Sequence, residues 1–260
     1  MKIRAIALST FGTLVRNKLI VLFCAIFLVL LLFVTTPLSN MRHNAVGEEI
    51  VLQFVSFLMF IVSGFGSLLA AWSAAEAVAG EMKSGTILAV MARPVRRWEF
   101  LLGKYLGVQL LMLVYVAFMF GMSYVLAAIG GQSIHAAPWV LIVYPILRYA
   151  IYSALAMLLV TVMHPVLAFV GVLITSVLAL LVMPGAPSGF MTDQIWMPLY
   201  AVLPSMSLLS ESQFLGMTQA SLQPIPWTNH LTALVYGLDY ALVIFLLAVW
   251  SFRRRALTRD

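Results

Sequence analysis

The chain has 260 residues, 63% of them hydrophobic, and carries 15 Lys+Arg against 9 Asp+Glu for a net charge of +6. Charged residues make up only 9%, where soluble domains hold about a quarter. That excludes a soluble enzyme, a disordered tail and an ordinary nucleic-acid-binding domain, and leaves a polytopic membrane protein.

Residues 2–17 have helical periodicity. Ile3, Ile6, Ala7, Phe11, Leu14 and Val15 share one side, and Lys2, Ser9, Thr13 and Arg16 centre the other. Such a segment (1–18) is expected to lie in the inner membrane interface, as a topology anchor or an elbow helix. Six apolar runs then meet the length needed to cross about 30 Å of hydrocarbon, at 19–36, 50–75, 101–129, 139–162, 166–183 and 231–252. They are apolar on all faces, which rules out barrel strands. The fold class is all-α integral membrane, with six transmembrane helices. The first run ends in Thr35-Thr36-Pro37 rather than a small-residue cleavage site, so it reads as a retained span. Cys24 within it is the single cysteine, so no intramolecular disulfide can form.

Of the 15 basic residues, 13 lie in the N-terminal segment, the stretch between spans two and three, and the C-terminus; only Arg42 and Arg148 lie elsewhere. Both termini are therefore expected in the cytoplasm, in a bacterial or archaeal cytoplasmic membrane. The basic residues sit at the ends of apolar runs rather than on one solvated face, so the lipid bilayer and no nucleic acid is the expected surrounding.

Ser63, Ser67 and Ala71 recur every fourth residue in span two and allow close helix packing. Only His164-Pro165 separates spans four and five, making them antiparallel neighbours, with His164 capping the turn. Residues 184–230 hold six of the 11 prolines but only two charges, Asp193 and Glu211. Too apolar for a solvated loop and too broken to span, this segment is expected as short interfacial or re-entrant helices against the protein's outer surface.

Two ionisable groups fall well inside spans, Arg148 and Asp239, each roughly 14 Å below the outer boundary. Charges at that depth are costly, so they are expected to face each other as an ion pair or to share a polar pathway. His43, His135 and His230 lie in outer segments with Met191, Met197, Met206 and Met217, side chains that suit copper. They lack ligand spacing, and no Cys/His cluster has zinc spacing, so no metal is expected.

The connector at 76–100 is longer than two spans require. Gly85 permits a change of direction and Pro94 ends the short helical stretch before it. Ile87, Leu88, Met91, Arg93, Arg96 and Arg97 would be offered along the cytoplasmic surface to a partner or to anionic lipid.

The run Gly80-Glu81-x-x-x-Gly85-Thr86-Ile87, then Arg93-Pro94-x-x-Arg97, then Leu101-Leu102-Gly103-Lys104 resembles the signature of type-2 ATP-binding-cassette (ABC) exporter permeases. Within that family it is most similar to the six-span membrane subunit of the nitrous-oxide reductase maturation transporter. The resemblance implies the type-2 ABC exporter transmembrane fold. It makes 76–100 the coupling segment, with Glu81, Gly85, Thr86, Arg93, Pro94 and Arg97 contacting a separate ABC ATPase. It further implies two ATPase copies, which bind ATP and Mg, and a second permease copy or homologue; whether a periplasmic accessory protein docks on 184–230 is left open. The chain itself has no Gly-x-x-x-x-Gly-Lys-Ser/Thr run to cradle phosphates, so no cofactor and no catalysis are expected in it. The alternative is an ion- or proton-coupled secondary transporter using Asp239, Arg148 or Glu76, although the internal repeats and broken spans of such proteins are not evident. A membrane-embedded enzyme would need clustered His, Asp or Glu, and the acids here are scattered.

Overall fold

In the computed structural model, the described residues are 2–18, 21–22, 25–26, 28–29, 45–83, 96–129, 138–181, 203–204, 209 and 227–254. Their regular structure is helical: α1 (Lys2–Val15), α2 (Ala45–Lys83), α3 (Arg97–Ile129), α4 (Pro138–Val162), α5 (Pro165–Leu181) and α6 (Trp227–Arg254). Among the described residues four helices are long and apolar enough to cross a membrane, through windows Ile61–Glu81, Arg97–Gly121, Ile142–Val162 and His230–Arg254. α5 is equally apolar but shorter. Most of the expected first span, 19–36, and most of 184–230 lie outside the described residues.

Both ends of the expected connector, 76–100, are helical: α2 runs unbroken to Lys83 and α3 starts at Arg97. Glu76 and Glu81 lower the hydropathy without ending a helix, and Ala74, Ala75, Ala77 and Ala79 are strong helix formers. No strong breaker stands before Ser84-Gly85. Within 76–100, the stretch between the two helices is 84–96.

α4 is the centre of the bundle, packed on α2, α3, α5 and α6. Tyr144, Leu147, Tyr149, Ile151, Ala156, Met157 and Val160 are all buried along it. Its neighbours approach it through small residues. On α2, Ser63, Ser67 and Ala71 are buried, and Gly66 lies so close to Tyr149 that no Cβ fits between them. On α6, Ala233, Gly237 and Ala241 repeat at four-residue spacing, and a Cβ on Gly237 would come within 3.2 Å of Leu147. This is the close packing that takes the place of the hydrophobic effect between helices in lipid. The small-residue stripe of span two is thus enclosed by the chain's own helices. Pro165 opens α5, and the exposed His164 before it accepts the Val166 N–H on Nδ1 at 3.4 Å, capping the turn as expected.

Candidate functional site

Three helix ends meet around the first turns of α3, at the end of the bundle where the connector begins and finishes. Arg96 stands at the N-cap, and its N–H donates to the Glu99 carboxylate at 2.8 Å, the acidic half of a capping box. One residue on, the Arg97 guanidinium donates to the Arg253 carbonyl at 2.9 Å and the Phe252 carbonyl at 3.4 Å. These belong to the last turn of α6, where carbonyls have no helical partner and the helix dipole favours a cation. Phe100 stacks on Phe252 beneath this contact, with centroids 6.1 Å apart. The next turn of α3 brings Lys104, almost fully buried, into an ion pair with Glu81 at the end of α2. Its ammonium also lies 5.6 Å from the Phe100 ring centroid. The connector therefore leaves α2 and enters α3 across an ionic clasp, and α3 is tied in turn to α6.

The same turns of α3 seat α1. Cβ atoms on Gly103 and Gly107 would each stand 2.7 Å from α1, the first from Ile6 Cβ and the second from the Ala7 carbonyl oxygen. Two glycines four residues apart let the N-terminal helix cross α3 at backbone distance. Ala7, Thr10 and Leu14 are buried, and Thr10 returns its hydroxyl to the Ile6 carbonyl at 2.8 Å. Leu8 and Val15 remain exposed. Val15, grouped by periodicity with the buried side, is thus on the open one.

The intramembrane charges are placed apart. The Arg148 guanidinium donates to the Ser63 hydroxyl of α2 and to the carbonyl of Leu209, a fully buried residue of the 184–230 segment. Asp239 is exposed on α6, and among the described residues the expected Arg148–Asp239 ion pair is not formed. The reason is helical rotation: Gly237 faces α4, and two residues later the side chain is turned by roughly 200°. Arg148 is instead one of a set of polar side chains by which α4 reaches its neighbours. Tyr144 Oη and His230 Nδ1 are 2.7 Å apart, Gln109 donates to Ser153 at 2.7 Å, and Thr161 donates to Ser251 at 2.8 Å. Tyr105 adds a bond from α3 to the Ala150 carbonyl at 3.1 Å.

Of the expected partner-contact residues, Glu81 and Arg97 are described, and both turn towards their own chain. Gly85, Thr86, Arg93 and Pro94 lie outside the described residues, as do His43, His135 and the outer methionines. His230 is buried against Tyr144, and among the described residues no three His, Cys, Asp or Glu side chains cluster as a metal site. Lys104, Gly107, Arg253 and Leu209 were missed as site residues. Lys104 could have been found, because a lysine two turns into an apolar helix needs a carboxylate, and Glu81 stands in the same signature. Arg253 and Leu209 act through backbone carbonyls, for which side-chain chemistry gives no signal.

The model of the family described as "ABC-2 family transporter protein" matches residues 4–257, nearly the whole chain. No curated protein matches.

Proposed function

Since the chain belongs to the ABC-2 family of transporter membrane proteins, we propose that it is the permease subunit of an ATP-driven exporter, coupled to a separate ABC ATPase through the connector at 84–96. The membrane component of such a transporter is not itself the nucleotide-binding enzyme. The observation that carries the coupling reading is the clasp. Glu81–Lys104 closes the base of the connector and Arg97 binds the end of α6, so a push on the connector would reach α2, α3 and α6 together. Gly85, Thr86, Arg93 and Pro94 are then the residues that meet the ATPase. Glu81 and Arg97 act one step back, holding the connector's ends.

In this reading two ATPase copies bind ATP and Mg, and a second permease copy or homologue completes the pathway. Both termini are cytoplasmic, in a bacterial or archaeal membrane, as the grouping of 13 of 15 basic residues supports. α1 lies at the inner interface, and Arg148 holds the outer segment 184–230 at Leu209, where a periplasmic accessory protein would dock. The connector signature supports a place in the subgroup of the nitrous-oxide reductase maturation permease. The gradient-driven alternative has less behind it, because Arg148 is engaged by Ser63 and Leu209 rather than by Asp239.

The test is purification in mild detergent from the native membrane, followed by ATP hydrolysis and mass spectrometry, beside an Arg93→Glu variant. A stoichiometric ATPase is expected with the unaltered chain and its loss with the variant. A folded permease that brings down no ATPase would overturn the reading.

A further inference from the structure

α6 is the least covered of the four long helices. Only 22% of its His230–Arg254 window is buried, against 56–67% in the other three. Its small residues face α4, and on the opposite side Val235, Leu238, Leu242, Val243, Leu246 and Trp250 are exposed. Asp239 is exposed as well and lies in the middle of that stripe, one turn from Val235 and from Leu242. At 1.5 Å per residue it stands about 14 Å from His230 and about 21 Å from Arg253, near the centre of the bilayer. Among the described residues it forms no ion pair. A carboxylate facing hydrocarbon at this depth is costly, and acidic side chains within spans face protein or water and are paired. Lipid alone is a poor cover for this face.

The charge selects the occupant. Among the described residues, the exposed basic side chains all lie near helix ends: Lys2, Arg4, Arg16, Lys18, Arg96, Arg253 and Arg254. A second copy set against this face by two-fold symmetry would bring carboxylate to carboxylate, and one set at another angle would offer, among the described residues, no exposed cation at this depth; the expected first span, 19–36, contains no Lys or Arg either. We propose that the Asp239 stripe is the docking face for a transmembrane helix of a different polypeptide, which carries a Lys or Arg near mid-bilayer. The apolar residues above and below supply van der Waals contact, and the charge pair sets register and partner. The face is about four turns of helix from the connector, so this contact is separate from any ATPase contact and is tested independently of it.

The test places a benzophenone-bearing residue at Leu242 or Leu246, with Ile174 on the exposed side of α5 as control, in the full chain in its native membrane. Both α6 positions are expected to cross-link, on irradiation, to one membrane polypeptide of different sequence whose span holds a basic residue near its middle; Ile174 is not. Asp239→Leu should lower that adduct by roughly tenfold, the scale of an interhelical polar contact in a bilayer. Asp239→Lys combined with Asp at the partner's basic position should restore it. Asp239 makes no ion pair within the described chain, so the thermal unfolding of both variants should match the parent and show that folding is intact. Adducts with lipid only, adducts with a second copy, or a polypeptide adduct unchanged by Asp239→Leu would each overturn the proposal.

Discussion

Arg97, in the first turn of α3, holds the backbone carbonyl of Arg253, in the last turn of α6 and 156 residues further along the chain, at 2.9 Å. The contact joins the exit of the connector to the end of the last span. Arg97→Ala is expected to lower stability by about 1 kcal/mol, the scale of a partly exposed cation at a helix C-terminus. Thermal unfolding in detergent measures it. Arg97→Lys should recover part of the loss, because it keeps the charge but not the forked donor.

The Glu81–Lys104 pair should behave as a buried pair rather than a surface one. Neutralising one partner, as in Lys104→Met, is expected to cost about 3 kcal/mol, because the other charge is left without its complement. The double variant Glu81→Gln/Lys104→Met should cost clearly less than the sum of the two single changes. A double-mutant cycle in denaturant measures that coupling, and it should change little with salt.

The seat of α1 predicts a contrast between glycines on one helix. Gly107→Val forces a side chain against the Ala7 backbone and should destabilise by about 1–3 kcal/mol. Gly121 has nothing within 4 Å of a Cβ, and Gly121→Ala should be neutral or stabilising by up to about 1 kcal/mol. A cysteine pair between α1 and α3 should lose its cross-link in the first variant and keep it in the second.

Removing Arg148 should act on the outer segment more than on the bundle. Arg148→Met leaves the buried Leu209 carbonyl without its donor, at a cost of about 1–3 kcal/mol. The expected result is faster proteolysis within 184–226, while the cleavage rate in the connector, 84–96, stays the same.

The lengths of the helices were legible in the sequence, and their rotations were not. Hydropathy placed spans at 139–162 and 231–252, and α4 and α6 run from Pro138 to Val162 and from Trp227 to Arg254. Apolar length is a property of the chain alone. Which side of a helix faces which neighbour is not, where every side is apolar. Leu147, beside Arg148, packs against Gly237, but Asp239 is carried round α6 to the exposed side by two residues after Gly237. Helix continuity within the expected segment 76–100 was not legible for a related reason: Glu76 and Glu81 lower the hydropathy, and the alanines around them carry α2 on to Lys83. Glu81, Gly103 and Lys104 stood in the recognised signature before a physical reason for them was visible. The clasp and the α1 seat now supply that reason.

The polar contacts of α4 are spread along its length and shared among its neighbours: Tyr144 to α6 at one end, Arg148 to α2, Ser153 to α3, and Thr161 to α6 at the other. A slide of one turn, about 5.4 Å, would break all four at once. α4 therefore behaves as a locked axle, and α2, α3 and α6 cannot change their heights relative to one another without shearing it. Under the proposed coupling, a stroke that carries α2, α3, α4 and α6 together would keep all four contacts.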